Sequence, residues 1–264
     1  MWPTTGAGRS TGSLARKLSR VRYQFVDCRW QLGHPERGRE LYLEGHIPGA
    51  SFLDVERELS ALPGGADGGR HPLPAAEDFA RAAGAAGIGP GVFVVAYDQG
   101  MTGGAARLWW LLRHFGHDEV AVLAGGIAAW AGALRSGEED IEAATFVPRP
   151  REDDTVTAEE LLERLGRDGL VLLDARAPER YRGETEPIDA IAGHIPGARN
   201  LPYTETAQLP DDLLSTEDEV VVYCGSGITA SVDVLALERA GVRAKLYPGS
   251  WSEWSARGLP VERG

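Results

Sequence analysis

Val220-Val-Val-Tyr-Cys-Gly-Ser-Gly-Ile-Thr-Ala230 runs from an unbroken apolar segment into a cysteine, two glycines and a helix-forming stretch. Glu219–Tyr223 has the length and continuous hydrophobicity of a strand buried on both faces, a mark of parallel sheets. Ala230–Ala240 reads as a helix, with Gly241 placed to end it. Cys224 therefore sits at the carboxyl end of a central strand, where open α/β sheets bind ligands. Gly225 and Gly227 permit a tight bend. The backbone N–H groups of Gly225, Ser226, Gly227, Ile228 and Thr229 can then converge as an anion-binding nest. The following helix turns its positive end toward the same point. A loop of this kind stabilises a thiolate, a persulfide anion or a bound oxyanion.

Outward from this loop, the chain repeats itself once. Val26-Asp-Cys-Arg29 echoes Leu173-Asp-Ala-Arg176, and Gly45-His-Ile-Pro-Gly-Ala50 recurs unchanged as Gly193–Ala198. Val94-Val-Ala-Tyr97 matches Val221-Val-Tyr223, and Gly125-Gly-Ile-Ala-Ala-Trp130 matches Gly249-Ser-Trp-Ser-Glu-Trp254. The first two blocks lie 147 and 148 residues before their copies, the last two 126 and 124. The first copy thus holds about 22 extra residues between its second and third blocks, which fits the Gly-rich stretch 62–72, a loop by composition. Gly169–Asp174 reads as another buried strand, and Thr157-Ala-Glu-Glu160 as a capping box opening a helix over 158–165. In the first copy, 104–115 reads as a helix followed by Gly116. Alternating strands and helices predict an α/β fold of two domains, each a parallel sheet with helices on both faces. The expected divisions are an extension over 1–19, a first domain over 20–137, a linker over 138–154 and a second domain over 155–264.

Composition narrows the function. Thirty-nine acids against 27 bases give a net charge of −12, which argues against a nucleic-acid backbone as partner. No apolar run approaches a membrane span. Met1–Arg22 is free of acids and rich in Arg, Ser and Gly, without the apolar core of a secretory signal, and is expected to be a flexible tail. Cys28 and Cys224 are the chain's two cysteines, too few for a disulfide scaffold or a cysteine-built zinc site, so a reducing cytoplasm is expected. Cys28, at a strand end, reads as a packed core residue. Trp109, Trp110 and Trp130 read as core and domain-contact residues rather than binding platforms.

The loop Cys224–Ala230, the paired Gly-His-Ile-Pro-Gly-Ala blocks and the Gly-x-x-x-Trp endings resemble two-domain rhodaneses, most closely the 3-mercaptopyruvate sulfurtransferase branch. The likeness covers roughly residues 20–260. It implies an active second domain and a degenerate first, in keeping with Asp98 where the second copy has Cys224. It also implies a two-step transfer of sulfane sulfur through a Cys224 persulfide, with no metal or organic cofactor. The donor would be a small anion, and the acceptor cyanide or a thiol such as glutathione or thioredoxin. Thiosulfate-preferring members place Arg and Lys after the cysteine, mercaptopyruvate-preferring members Gly-Ser, as here in Gly225-Ser226. The resemblance further implies that Ser226, with a His and an acid of the first domain, helps deprotonate the donor. His46 of the first Gly-His-Ile-Pro-Gly-Ala block is the expected histidine and Glu36 the expected acid. Arg180 matches an arginine that grips the donor's anionic end. A second arginine is expected near position 189, where this chain has Asp, and Arg182 is the expected substitute.

Three other readings compete. Thiosulfate is the alternative donor at the same cysteine. A rhodanese-like module that binds without catalysis is the rival from outside the enzymes, and the intact Cys224 loop speaks against it. A phosphatase of similar loop needs Arg six positions after the cysteine, and Ala230 stands there.

Overall fold

The computed structural model describes residues 22–100 and 102–264, so the expected extension over 1–19 lies outside the described residues. The first sheet holds β1 (Arg22–Asp27), β2 (Ser51–Phe52), β3 (Val92–Tyr97) and β4 (Val120–Val122) in the order β2-β1-β3-β4, all parallel. The second holds β5 (Leu170–Asp174), β6 (Arg199–Asn200), β7 (Glu219–Tyr223) and β8 (Ala244–Leu246) in the matching order β6-β5-β7-β8, again parallel. Register runs from Arg22 opposite Val92 to Asp27 opposite Tyr97, and from Leu170 opposite Glu219 to Asp174 opposite Tyr223.

The α-helices among the described residues are α1 (Arg37–Glu44), α2 (Ala76–Ala85), α3 (Gly104–His114), α4 (Ala158–Arg164), α5 (Pro178–Tyr181), α6 (Asp211–Leu214), α7 (Ala230–Arg239) and α8 (Ser250–Ala256). The capping box at α4 forms: Glu160 N–H donates to Thr157 Oγ1 at 3.2 Å, and Thr157 N–H donates to the Glu160 carboxylate at 2.8 Å. Gly116 and Gly241 follow α3 and α7 in left-handed conformation, as their places in the sequence require.

The apolar run in β7 is continuous because both of its faces are covered. Val220 and Val222 enter one buried cluster, Val221 and Tyr223 another. The first of these clusters also contains Val26, Val94, Leu108 and Trp109 of the first copy together with Ile228 and Val234 of the second. One apolar core thus runs between the two sheets through α3 and α7. Contact there is close: a Cβ on Gly103 would lie 3.1 Å from Ile228 Cγ2. The segment 138–154 has neither helix nor strand, yet its Phe146 is buried edge-on against Phe79, 5.6 Å between centroids.

Candidate active site

Cys224 immediately follows β7, and the first turn of α8 grips the loop it opens. Trp251 N–H donates to the Cys224 carbonyl at 3.0 Å and Ser252 N–H to the Gly225 carbonyl at 2.9 Å. Cys224 N–H donates to Ser250 Oγ at 3.1 Å, and that hydroxyl donates to the Tyr247 carbonyl at 2.9 Å. Ser250 has φ of 53°, the one non-glycine in left-handed conformation among the described residues. Such a conformation costs on the order of 1–3 kcal/mol and persists only where surrounding contacts impose it; here it aims the hydroxyl at the loop. Gly227 is left-handed as well, and a Cβ there would lie 2.5 Å from the Pro248 carbonyl oxygen, so only glycine fits. Its N–H points at the sulfur: Gly227 N to Cys224 Sγ is 3.1 Å. Gly225 is not left-handed; its missing side chain leaves room for two guanidinium groups instead, with Arg70 Nη2 at 3.2 Å and Arg180 Nη1 at 3.5 Å from where a Cβ would stand.

Cys224 is 2% exposed and lines a cavity of about 320 Å3. Trp30, Leu32, Arg70 and Thr102 of the first copy line it together with Arg180, Tyr203 and the loop residues Gly225, Ser226, Ile228 and Thr229 of the second. Arg180, on α5, reaches this cavity as expected, but its guanidinium is engaged: Nε and Nη2 donate to Glu186 at 2.7–3.1 Å, and Nη2 lies 3.5 Å from Asp189. Burial would raise the Glu186 carboxyl, but the hydrogen bonds and charge of Arg180, with the N–H groups of Asp189 and Ile188, outweigh it and hold the group below the usual glutamate range. Arg182 does not line the cavity; it is exposed and pairs with Glu184 at 2.7 Å.

The first-copy histidine at the site is His71, not His46. His71 Nδ1 is 2.7 Å from Ser226 Oγ, across 155 positions of sequence. Its Nε2 faces Glu56 Oε1 at 3.9 Å, and its ring stands edge-on to Trp30. Burial, then the Arg107 and Arg70 guanidinium charges, lower its pKa to about 4, so the imidazole is neutral near pH 7. With its hydrogen on Nε2 toward Glu56, Nδ1 accepts from the Ser226 hydroxyl. His46 is wholly buried, stacked on Tyr42 at 4.1 Å, with Nδ1 2.8 Å from the Tyr42 carbonyl. His194 repeats this arrangement on Tyr181, at 3.8 Å and 2.7 Å. The same motif in both copies uses its histidine the same way, to pin a turn. Glu36 is exposed and pairs with Arg57.

Arg107 of α3 joins the site as well, although no motif in the sequence marks it. It is fully buried and donates to the carbonyls of Leu59, His71, Pro72 and Gly227 at 3.1–3.3 Å, tying the long first-copy loop to the cysteine loop. Burial lowers its pKa to about 10, against the opposing pull of Cys224, and it stays charged near neutrality. Arg70 and His71 are marked in the sequence by the run Arg70-His71-Pro72 closing a Gly-rich insertion, and Arg107 has no comparable mark.

The first copy's counterpart of the loop is closed on itself. Asp98 Oδ1 accepts from Gly100 N–H at 2.7 Å and Oδ2 from Ala105 N–H at 3.2 Å, so a fixed carboxylate fills the position that an anion would take. Cys28 is fully buried, and burial, followed by the charges of Asp27 and Asp98, pushes its thiol well above the usual range. Among the described residues no three His, Cys, Asp or Glu side chains are grouped to hold a metal ion.

The model of the rhodanese-like domain matches the chain twice, over residues 10–133 and 157–257. A Pseudomonas aeruginosa protein named "Probable 3-mercaptopyruvate sulfurtransferase" is 43% identical over 91% of this chain and 92% of its own length. A Mycobacterium tuberculosis relative, named for thiosulfate instead, is 41% identical over 91% of this chain and 90% of its own. The crystal structure of SseA, a 3-mercaptopyruvate sulfotransferase from Escherichia coli, gives a TM-score of 0.76 at 33% identity, covering 90% of this chain and 96% of that one.

Proposed function

This chain belongs to the rhodanese-like family, and on that premise we propose that it is a sulfurtransferase that takes sulfur from 3-mercaptopyruvate onto Cys224 and passes it to a thiophilic acceptor. The observation that supports this donor above thiosulfate is the 2.7 Å contact between Ser226 and a neutral His71, beside the cysteine. Mercaptopyruvate brings a thiol proton that must leave. Thiosulfate is an anion with no such proton.

His71, through the Ser226 hydroxyl, draws the proton from the donor thiol, and Glu56 faces the charge that then develops on the imidazole. The Cys224 thiolate attacks the donor sulfur, and a sulfur–sulfur bond forms as the sulfur–carbon bond breaks. The electron pair passes to carbon as the enolate of pyruvate, which regains the proton through the same relay and leaves as pyruvate. The Gly227 N–H, 3.1 Å from the cysteine sulfur, and the positive end of α7 stabilise the persulfide anion that remains. An acceptor thiolate or cyanide then attacks the outer sulfur and returns Cys224 to its thiolate. Arg180 holds the donor carboxylate, for which it must leave Glu186.

Thiosulfate is the second reading, favoured by the two guanidinium groups that flank Gly225. Steady-state kinetics with both donors and cyanide as acceptor decide between them. A kcat/KM for mercaptopyruvate at least tenfold above that for thiosulfate is expected, with one sulfur atom added to Cys224 after donor alone. A preference for thiosulfate would reverse the assignment of donor. No added mass and no turnover with either would reduce the chain to a binding module.

A further inference from the structure

We propose that Arg70, delivered across the domain boundary by the first copy's long loop, is the second anion-gripping residue of the donor site, and that Asp189 sets which donor charge the site accepts. The inference rests on the sulfurtransferase reading above and deepens it.

The second domain has an acid at position 189, in the place where another guanidinium is expected. The structure supplies one from elsewhere. Arg70 Nη1 is ion-paired with Asp189 and Nη2 donates to the Gly225 carbonyl at 3.2 Å, one residue from Cys224. Its backbone is fixed, because Arg70 N–H donates to Ser252 Oγ at 3.1 Å and a Cβ on Gly69 would collide with Ser252 Oγ and the Gly249 carbonyl. The neighbouring residue is His71 of the relay, so the same loop places both groups. Arg70 Nε is buried without a protein partner, leaving the guanidinium short of one acceptor. Together with Arg180 it forms a two-sided anion clamp over Gly225, with one arm from each domain.

The clamp is charge-balanced. Arg70 faces Asp189 and Arg180 faces Glu186, and both carboxylates are over nine-tenths buried. A monoanionic donor exchanges one carboxylate for another on a guanidinium, at little change in local charge. A dianion meets two fixed carboxylates at close range. Asp189, which touches both arginines, therefore discriminates by repulsion rather than by attraction.

The test is steady-state kinetics of the full chain with mercaptopyruvate and with thiosulfate for wild type, R70K, R70Q and D189N, each shown by circular dichroism to be folded. R70Q is expected to raise KM for both donors about tenfold, as loss of a charge-assisted hydrogen bond does, while kcat falls less than threefold. R70K, which keeps the charge and loses the fork, is expected to fall between. D189N is expected to raise kcat/KM for thiosulfate at least fivefold more than for mercaptopyruvate. A KM within twofold of wild type in R70Q, or a donor ratio unmoved in D189N, overturns the inference while an active wild type leaves the sulfurtransferase reading standing. A wild-type protein inert with both donors overturns the two together.

Discussion

The two cysteines show how position, not residue type, decides chemistry. Cys224 lines a cavity at a loop whose N–H groups face an anion, whereas Cys28 is sealed in the core beside two aspartates. Cys224→Ser is expected to abolish transfer without unfolding the chain, since an alcohol is a poor nucleophile at its free pKa and forms no persulfide. Cys28→Ser should keep most of the activity, and iodoacetamide should label Cys224 alone in the folded protein; mass spectrometry of the tryptic peptides reads both. The histidine makes a prediction in pH. A pKa of about 4 for His71 leaves it neutral, and able to accept a proton, down to about pH 5. The kcat/KM for mercaptopyruvate should therefore show no acid limb near 6.5, the ordinary imidazole value. The sign for stability is the opposite of that for a salt-bridged histidine. Because the folded pKa lies below the unfolded one, protons bind the unfolded chain first, and stability falls as pH drops from about 6.5 to about 4. His71→Gln should remove that part of the loss in thermal melts across the window. A kcat/KM that falls tenfold from pH 7 to pH 5.5 in wild type would sink the relay as drawn.

At the scale of single elements, much was legible because local rules decide it. The capping box, the left-handed glycines after α3 and α7, and the apolar runs of β5 and β7 depend on neighbours in sequence or on simple burial. The 62–72 stretch was legible as a loop but not as a contributor of Arg70 and His71 to the cavity at Cys224. Which side chains meet across 155 positions is settled by the packing of two sheets, and glycine-rich composition says nothing of it. The repeated His46 was misleading for a related reason: a histidine held alike in the copy with Cys224 and in the copy with Asp98 at that place marks shared architecture rather than chemistry. Helix α7 holds an element-scale oddity in Asp233. It sits in the first turn, fully buried, and neither carboxyl oxygen has a hydrogen-bond partner. Burial first, then the charges of Cys224 and Asp174, raise its pKa well above the usual aspartate value. Below about pH 4 the carboxyl is protonated in folded and unfolded chains alike and adds no pH dependence. Above that pH the unfolded chain ionises while the folded one does not, so stability declines as pH rises toward the folded pKa. Asp233→Val is expected to abolish this decline. Its Tm should exceed that of wild type by a margin that widens from pH 5 to pH 8, and a margin that shrinks instead would mean the buried carboxyl is stabilised in a way the packing does not show.

On the scale of the whole molecule, the site exists only because two copies of one fold meet face to face. The second copy supplies the sulfur-bearing loop and Arg180; the first supplies His71, Glu56 and Arg70, and its own loop is neutralised by Asp98. The repeat was readable from the sequence, but the division of labour was not, because it depends on how α3 packs against α7. Arg107 is the joint between the two halves. Its guanidinium, buried at the contact, donates to carbonyls on three stretches: Leu59, the His71–Pro72 turn, and Gly227 of the cysteine loop. Arg107→Met preserves bulk and removes every one of these donors. Two opposing effects follow. Losing a buried charge relieves desolvation, and well-packed apolar replacements of buried ions are sometimes neutral. Here, however, the partners are backbone carbonyls that cannot leave, and each one stranded without a donor costs about 1–3 kcal/mol. Even one stranded carbonyl at about 2 kcal/mol lowers Tm by roughly 4–8 °C for a chain near this size. The functional effect should exceed the stability effect, since the turn that carries His71 and the loop that carries Cys224 lose their common anchor. Arg107→Met is therefore expected to lower kcat for mercaptopyruvate at least tenfold at a temperature where circular dichroism shows it folded. Arg107→Lys, which restores a buried cation but reaches fewer carbonyls, should recover part of the Tm and little of the kcat. If both variants melt lower yet turn over like wild type, the tie is structural only, and the two halves hold their register at the site through apolar packing alone.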